Sequence, residues 1–230
     1  MSQRISYSVL DPLIGPVLKS LYPRLPIPAW FPPEGIVLIG HCFAIVGAIG
    51  FAYSLSSPWG GVLAAIGVLG NHTADCVDGT HARATGQCRH GGELLDHFTD
   101  PMSFAYWLVG ISVALGTLGW GLAALIILFG HAVLTNIKSK LTGRFVLSRF
   151  GPTEFKTLLF ISGLTLAAIA SLDLKIIPVL LAAGGFFALI VFGGIHLIFD
   201  LIRSVREVNR SGKPIDTSEW INGNNESRSA

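Results

Sequence analysis

The chain has 230 residues, of which 51% are hydrophobic and only 13% are charged. That balance excludes an ordinary soluble domain and fits a bundle of membrane helices. The net charge of +2 says little as a total, and its distribution along the chain carries the information.

The first element precedes any span. Leu10, Leu13, Ile14, Val17, Leu18 and Leu21 recur at helical spacing, with Asp11 and Pro12 placed as N-cap and first residue. The pattern predicts an amphipathic helix lying on the membrane surface. Prolines 12, 16, 23, 26 and 28 interrupt this region, so no secretory signal is expected.

Six spans follow, at Gly35–Leu55, Trp59–Arg83, Gly92–Leu115, Leu118–Thr135, Phe155–Leu172 and Ile176–Ile202. Each is close to the roughly 20 apolar residues that cross a bilayer core. The fold class expected is all-α: a bundle of six transmembrane helices with an N-terminal amphipathic surface helix. Three regions result: residues 1–34 as a cytoplasmic N-terminal segment, 35–210 as the transmembrane catalytic domain, and 211–230 as a polar, disordered cytoplasmic tail.

Basic residues set the orientation. Arg4, Lys19 and Arg24 precede the first span; Arg83 and Arg89 separate the second and third; Lys138, Lys140, Arg144, Arg149 and Lys156 lie around the fourth and fifth. Arg203, Arg206, Arg210, Lys213 and Arg228 follow the sixth, whereas the opposite loops offer only Lys175. Both termini are therefore expected on the cytoplasmic side. Cys42, Cys76 and Cys88 share no CxxC spacing, which argues against a disulfide framework or a zinc knuckle.

The second span turns polar at Asn71, and the third opens on GGELLDHFTD before becoming apolar. Ionisable residues inside spans are costly and mark function by default. Asp75 and Asp78 are three residues apart and Asp96 and Asp100 four apart, so each pair shares a helix face. The short connection makes the two helices antiparallel neighbours and gathers four carboxylates at the cytoplasmic mouth. Two divalent ions would balance them, and oxygen-only ligands favour Mg²⁺ or Mn²⁺. Gly79, Ala82 and Gly92 lie between the acids and let a ligand or a backbone approach closely.

The string D75-C-V-D78-G79-T-H-A82-R83, eight residues, and then G92-E-L-L-D96-H-F-T-D100 resembles the DxxDGxxAR…GxxxDxxxD signature of CDP-alcohol phosphotransferases. The resemblance implies an enzyme that cleaves the pyrophosphate of a CDP-linked donor, joins the phosphoryl-bearing part to an alcohol and releases CMP. It makes Asp75, Asp78, Asp96 and Asp100 metal ligands and places Gly79, Ala82, Arg83 and Gly92 along the nucleotide. Asp100 becomes the candidate base, with His97 as a second candidate, since an imidazole accepts protons near neutral pH. The partners implied are a CDP-linked donor, a lipid or small alcohol acceptor, membrane lipids and a second copy in a homodimer; no nucleic acid is expected.

Two branches of that family differ in what the CDP carries. Gly92-Glu-Leu-Leu-Asp96-His97 and Gly151-Pro-Thr-Glu154 resemble the choline and ethanolamine phosphotransferases, which use a CDP-linked head group and diacylglycerol. The compact length instead resembles members that use CDP-diacylglycerol with glycerol phosphate, inositol or serine. Lys140 and Arg144 are candidates for gripping an acceptor, and Glu154 for contacting a cationic head group, pairing with Lys156 or capping a helix. A membrane prenyltransferase, a divalent-cation carrier and a scaffold are the rival readings. The first lacks the intervening Gly-x-x-Ala-Arg, and the second would spread its acids across the membrane depth.

Overall fold

A computed structural model describes residues 3–172, 176–211 and Thr217. The polar tail, apart from Thr217, and Lys175 lie outside the described residues. The architecture is an all-α membrane bundle. A short strand β1 (Gln3–Ser6) and helix α1 (Asp11–Lys19) lead into α2 (Pro33–Tyr53), α3 (Pro58–Thr85), α4 (His90–Leu115) and α5 (Leu118–Thr142). A second strand β2 (Arg144–Leu147) then precedes α6 (Pro152–Ala170) and α7 (Ile176–Ser211).

Five of the helices, α2, α4, α5, α6 and α7, are long and apolar enough to cross a bilayer. The second of the six expected spans, α3, differs because its C-terminal half carries Asn71, His72, Asp75, Asp78, His81 and Arg83. Its 28 residues extend about 42 Å, well beyond a hydrocarbon core of about 30 Å. Helices α5 and α7 run past their expected ends, to Thr142 and Ser211 rather than Thr135 and Ile202. The overrun is polar, and such residues continue a helix in water as readily as apolar ones. Sharp stops come instead from left-handed glycines: Gly86, Gly116 and Gly143 have φ of 70°, 65° and 72° and close α3, α4 and α5.

Helix α3 is the centre of the bundle. It packs most extensively on α2 and then on α6, while α4 lies against α2 and α5 against α7. Small residues make this possible: a Cβ on Gly67 would be driven into the backbone of Gly47, and one on Gly50 into the backbone of Ala64. Among helices solvated by lipid, close backbone approach replaces the hydrophobic effect as the source of packing energy. Ala44, Phe51, Ala64, Val68, Phe104, Trp107 and Leu159 form the core around these crossings. Trp107 is fully buried there and donates its indole N–H to the carbonyl of Ala44 at 3.0 Å.

The N-terminal segment is tied down in a way that sequence periodicity did not indicate. Strand β1 pairs in parallel with β2, with Gln3 opposite Arg144 and Ser6 opposite Leu147. Helix α1 begins one residue earlier than expected: Leu10 is the N-cap, and Asp11 is the first helical residue. The Asp11 carboxylate is occupied by the hydroxyls of Ser6 and Thr153. Leu18 is buried, whereas Leu13 and Val17, one turn apart, stay exposed. Tyr22 OH and the carbonyl of Phe31 bind the two ring nitrogens of His81 at 3.0 and 2.8 Å, fixing the approach to α2 against α3.

Candidate active site

The acidic side chains of α3 and α4 converge on one cavity. The two helices are not, however, the closely packed neighbours that their short connection suggests: both pack on α2, which brings their carboxylates together. One turn of α3 presents Asp75 and Asp78, and α4 presents Asp96 and Asp100 just before Pro101, which lacks the N–H that would bond the carbonyl of His97. All four aspartates line one cavity, with Val37, Gly40 and His41 of α2, Asn71 of α3 and Thr99 of α4 completing its wall. One carboxylate oxygen each from Asp75, Asp78 and Asp96 lies within 4.8 Å of the others. A single ion with metal–oxygen distances of about 2.1 Å could draw such a triangle together. The donors are all hard oxygens, so the residues fit Mg²⁺ or Mn²⁺.

A fifth charged group belongs to this site, one that the sequence pattern suggested only for membrane orientation or as a partner of Glu154. Lys156 enters from α6, and its Nζ sits 2.7 Å from Asp75 Oδ2 and 3.0 Å from Asp100 Oδ1. Its side chain is only 1% exposed, against 28% and 26% for the two carboxylates. Phe104 lies beneath the ammonium, its ring centre 5.6 Å away. A buried ammonium is tolerated only when paired and well bonded, and here two carboxylates share it. The available signal was a lysine a turn and a half inside an apolar helix, which by default calls for a partner to be named.

Two buried polar atoms on the cavity wall have no hydrogen-bond partner among the described residues, Asn71 Oδ1 and His41 Nδ1. The Asn71 amide nitrogen donates to Gly40 O at 3.1 Å and Ser103 Oγ at 3.3 Å, which fixes the orientation of that side chain. His41 Nε2 lies 3.2 Å from Tyr106 OH. Both atoms are therefore held in place and available to a ligand or an ordered water.

At the mouth, Arg83 reaches back one turn, so that a Cβ on Gly79 would stand 3.3 Å from its Nη1. Gly92 faces open space, with only Glu34 Oε1 at 4.0 Å from a Cβ built there, and Ala82 is half-buried. Glu34 is also paired with Arg89 at 3.1 Å across the α3–α4 connection. These residues leave a shallow, small-sided surface beside the acids.

Other candidates are not brought to the cavity wall. His97 stacks on Phe145 of β2 with ring centres 4.5 Å apart, and its Nε2 lies 3.9 Å from Glu93 Oε1. Lys140 and Arg144 are exposed, at the end of α5 and the start of β2. Glu154 does not pair with Lys156. One of its oxygens accepts from the Gly151 N–H at 2.9 Å, and the other from Ser8 Oγ at 2.7 Å and the backbone N–H groups of Val9 and Leu10 at 2.8 and 3.1 Å. This carboxylate caps α6 and anchors the N-terminal segment. Glu154→Ala should therefore expose the chain between β1 and α1 to protease while Mn²⁺ binding is retained. Limited proteolysis beside a metal-binding measurement checks this, and an unchanged cleavage rate would refute the anchoring role.

Comparison with known proteins agrees with this geometry. The sequence profile described as CDP-alcohol phosphatidyltransferase matches residues 33–207. Cholinephosphotransferase 1 of Mus musculus is 29% identical over 203 residues, covering 74% of this chain and 49% of the relative. The Homo sapiens cholinephosphotransferase 1 is 30% identical over the same length, covering 74% and 48%. A CDP-diacylglycerol--serine O-phosphatidyltransferase of Encephalitozoon cuniculi is 38% identical over 82 residues, 34% of this chain and 21% of that protein. The chain thus spans about half the length of the cholinephosphotransferases it matches. Because the profile runs from the start of α2 into the last turns of α7 and takes in both acidic helices, the chain belongs to the CDP-alcohol phosphatidyltransferase family.

Proposed function

We propose that this integral, multi-pass membrane protein is a phospholipid-synthesising transferase that moves a phospho-alcohol group from a CDP-linked donor to an alcohol acceptor and releases CMP. The observation that carries this reading is the convergence of Asp75, Asp78 and Asp96 within 4.8 Å, with Asp100 on the same cavity wall. All eight signature positions lie on α3 and α4, two of the three helices that line that cavity.

In this reading, Asp75, Asp78 and Asp96 hold Mg²⁺ or Mn²⁺. When bound, the metal supplies Lewis-acid stabilisation of charge on the transferring phosphoryl and on departing CMP. Gly79, Ala82 and Gly92 give the nucleotide a surface without bulky side chains, and Arg83 adds positive charge beside it. The acceptor oxygen forms a bond to the phosphorus distal to cytidine, and the bond from that phosphorus to the bridging oxygen breaks. The bridging oxygen leaves with CMP, and the alcohol proton passes to Asp100. Asp100 is preferred to His97 as the base because it lines the cavity with the metal-binding aspartates, whereas His97 stacks on Phe145.

The donor proposed is of the CDP-choline or CDP-ethanolamine type, with diacylglycerol as acceptor. Similarity to cholinephosphotransferases over 74% of the chain supports this, as do the local strings GELLDH and GPTE. The alternative, CDP-diacylglycerol with a small alcohol, is favoured by the Encephalitozoon relative over a shorter stretch. The excess of Lys and Arg at the acidic end of the bundle supports a cytoplasmic active site.

Reconstitution with separate donor and acceptor pairs tests all three statements. The choline-type pair should yield a diacyl phospholipid together with CMP, and only when donor is supplied on the cytoplasmic face of sealed vesicles. Product solely from CDP-diacylglycerol would establish the alternative. Absence of CMP from every pair, with Mg²⁺ or Mn²⁺ present, would defeat the transferase reading.

A further inference from the structure

The acids occupy only part of the cavity. Gly79, Arg83 and Gly92 stand at its mouth, whereas Asn71 lies one turn of α3 beyond Asp75 in the opposite direction, beside His41 of α2. Resting on the transferase reading above, we propose that Asn71 Oδ1 and His41 Nδ1 form a hydroxyl-binding subsite. It holds the acceptor alcohol at the inner end of the cavity, with Tyr106 as the residue that positions His41.

The neighbours of each side chain set its hydrogen-bonding sense. Asn71 is 6% exposed, and the groups around its amide nitrogen can only accept. Gly40 O is a carbonyl, and the Ser103 hydroxyl directs its hydrogen to Thr99 O at 3.0 Å. The amide is thereby locked with Nδ2 turned to these two partners, and Oδ1 is left as a pure acceptor with none among the described residues. His41 is fixed in the complementary sense. Its Nε2 lies 3.2 Å from Tyr106 OH, and the phenol has no other acceptor among the described residues. The phenol therefore donates to Nε2, and the neutral imidazole carries its hydrogen on the unpartnered Nδ1.

The inner end thus offers one acceptor and one donor, both buried and both unsatisfied, a costly arrangement unless a ligand completes it. A hydroxyl group answers both, donating to Oδ1 and accepting from Nδ1–H. An ester carbonyl or a phosphoryl oxygen has no hydrogen for Oδ1, and neither has a quaternary ammonium. Position then selects the acceptor's hydroxyl. In an in-line displacement the entering and leaving oxygens stand on opposite sides of the phosphorus. With the nucleotide along Gly79, Arg83 and Gly92 at the mouth, the alcohol enters from the inner end, where Asn71 and His41 wait. Asp100 lines the same cavity and takes the proton as the oxygen–phosphorus bond forms.

The test separates acceptor binding from donor and metal binding. Proteoliposomes are assayed with CDP-choline and diacylglycerol, or with CDP-diacylglycerol and inositol, serine or glycerol phosphate where only that pair reacts. His41→Phe keeps a ring against Tyr106 but has no Nδ1, and it should raise the acceptor KM about tenfold, the effect of one lost hydrogen bond. The donor KM and the Mn²⁺ affinity, read by electron paramagnetic resonance, should stay within about twofold of wild type, as expected for a group that touches only the acceptor. His41→Asn, whose amide nitrogen replaces Nδ1, should recover most of the loss. An unchanged acceptor KM in His41→Phe would overturn the proposal and leave the two atoms to an ordered water. An equal rise in donor KM, a weaker Mn²⁺ affinity, or no recovery in His41→Asn would overturn it too. Should the variants fail to fold, the wild type decides. An acceptor analogue lacking the hydroxyl should inhibit only at concentrations at least about tenfold above the acceptor KM, and inhibition at the KM itself would refute the subsite. Wild type that transfers to no acceptor would defeat the transferase reading and this inference together, whereas the other adverse results leave that reading intact.

Discussion

Asp75→Asn is expected to abolish turnover while leaving a folded, membrane-inserted protein. Asp75 is where the two halves of the site join: it contributes an oxygen to the triangle with Asp78 and Asp96, and its Oδ2 accepts from Lys156. Asparagine preserves the shape but removes the negative charge, so divalent binding and the pairing of Lys156 weaken in one step. Lys156 retains Asp100 at 3.0 Å, and the buried ammonium is therefore not left alone. Loss of one metal ligand should lower kcat by more than about 10³-fold, or about 4 kcal/mol of transition-state stabilisation. Proteoliposome kinetics, set beside a monodisperse gel-filtration profile, check both halves of the statement. Activity within tenfold of the wild type would remove Asp75 from the metal site.

The second large effect concerns the helix crossing that supports the site. Gly67 of α3 lies where a side chain would be forced into the backbone of Gly47 and to within 2.7 Å of the Phe43 carbonyl oxygen. Backbone cannot turn aside as a side chain can, so Gly67→Val must push α2 and α3 apart. That crossing lies on α3 N-terminal to Asn71, Asp75 and Asp78, and separation there would also draw the acidic turn away from Gly40 and His41 of α2. Overpacking of this kind costs roughly 3 kcal/mol, which for a chain of this size corresponds to a fall in Tm of about 6–12 °C. Gly184→Ala serves as the control, because a Cβ there meets nothing within 4 Å. A thermal unfolding series in detergent that placed both variants at the wild-type Tm would refute the account of small-residue packing.

These two expectations depend differently on what can be read locally. The acidic pairs were legible because both members of each lie on one helix, where spacings of three and four put side chains on the same face. The long helices were legible from their apolar length, although their ends in α5 and α7 were not, since polar residues extend a helix beyond the membrane without any change of pattern. The closeness of α2 to α3 was signalled only in general, by glycines whose partners along the other helix had no local mark. The parallel pairing of β1 with β2 had no signal either: four-residue strands more than a hundred positions apart leave no periodicity to detect.

By itself, the sequence determined the all-α membrane class, the acidic signature and the convergence of its carboxylates. All of these rest on helix periodicity or on groups within 26 residues of one another. Only the tertiary structure decided which charges complete the site. Lys156 reaches Asp75 across 81 positions and Asp100 across 56, and Glu154 turns to Ser8 across 146. Those pairings arise because α6 packs on α3 and because strand β1 brings the N-terminal segment to the start of α6. For Lys156 the energetic reason is that a charge carried into low-dielectric surroundings must find a partner there, whereas the half-exposed Glu154 is held by the hydroxyl and N–H donors around it. In both cases which partner is near is a property of packing, not of spacing along the chain.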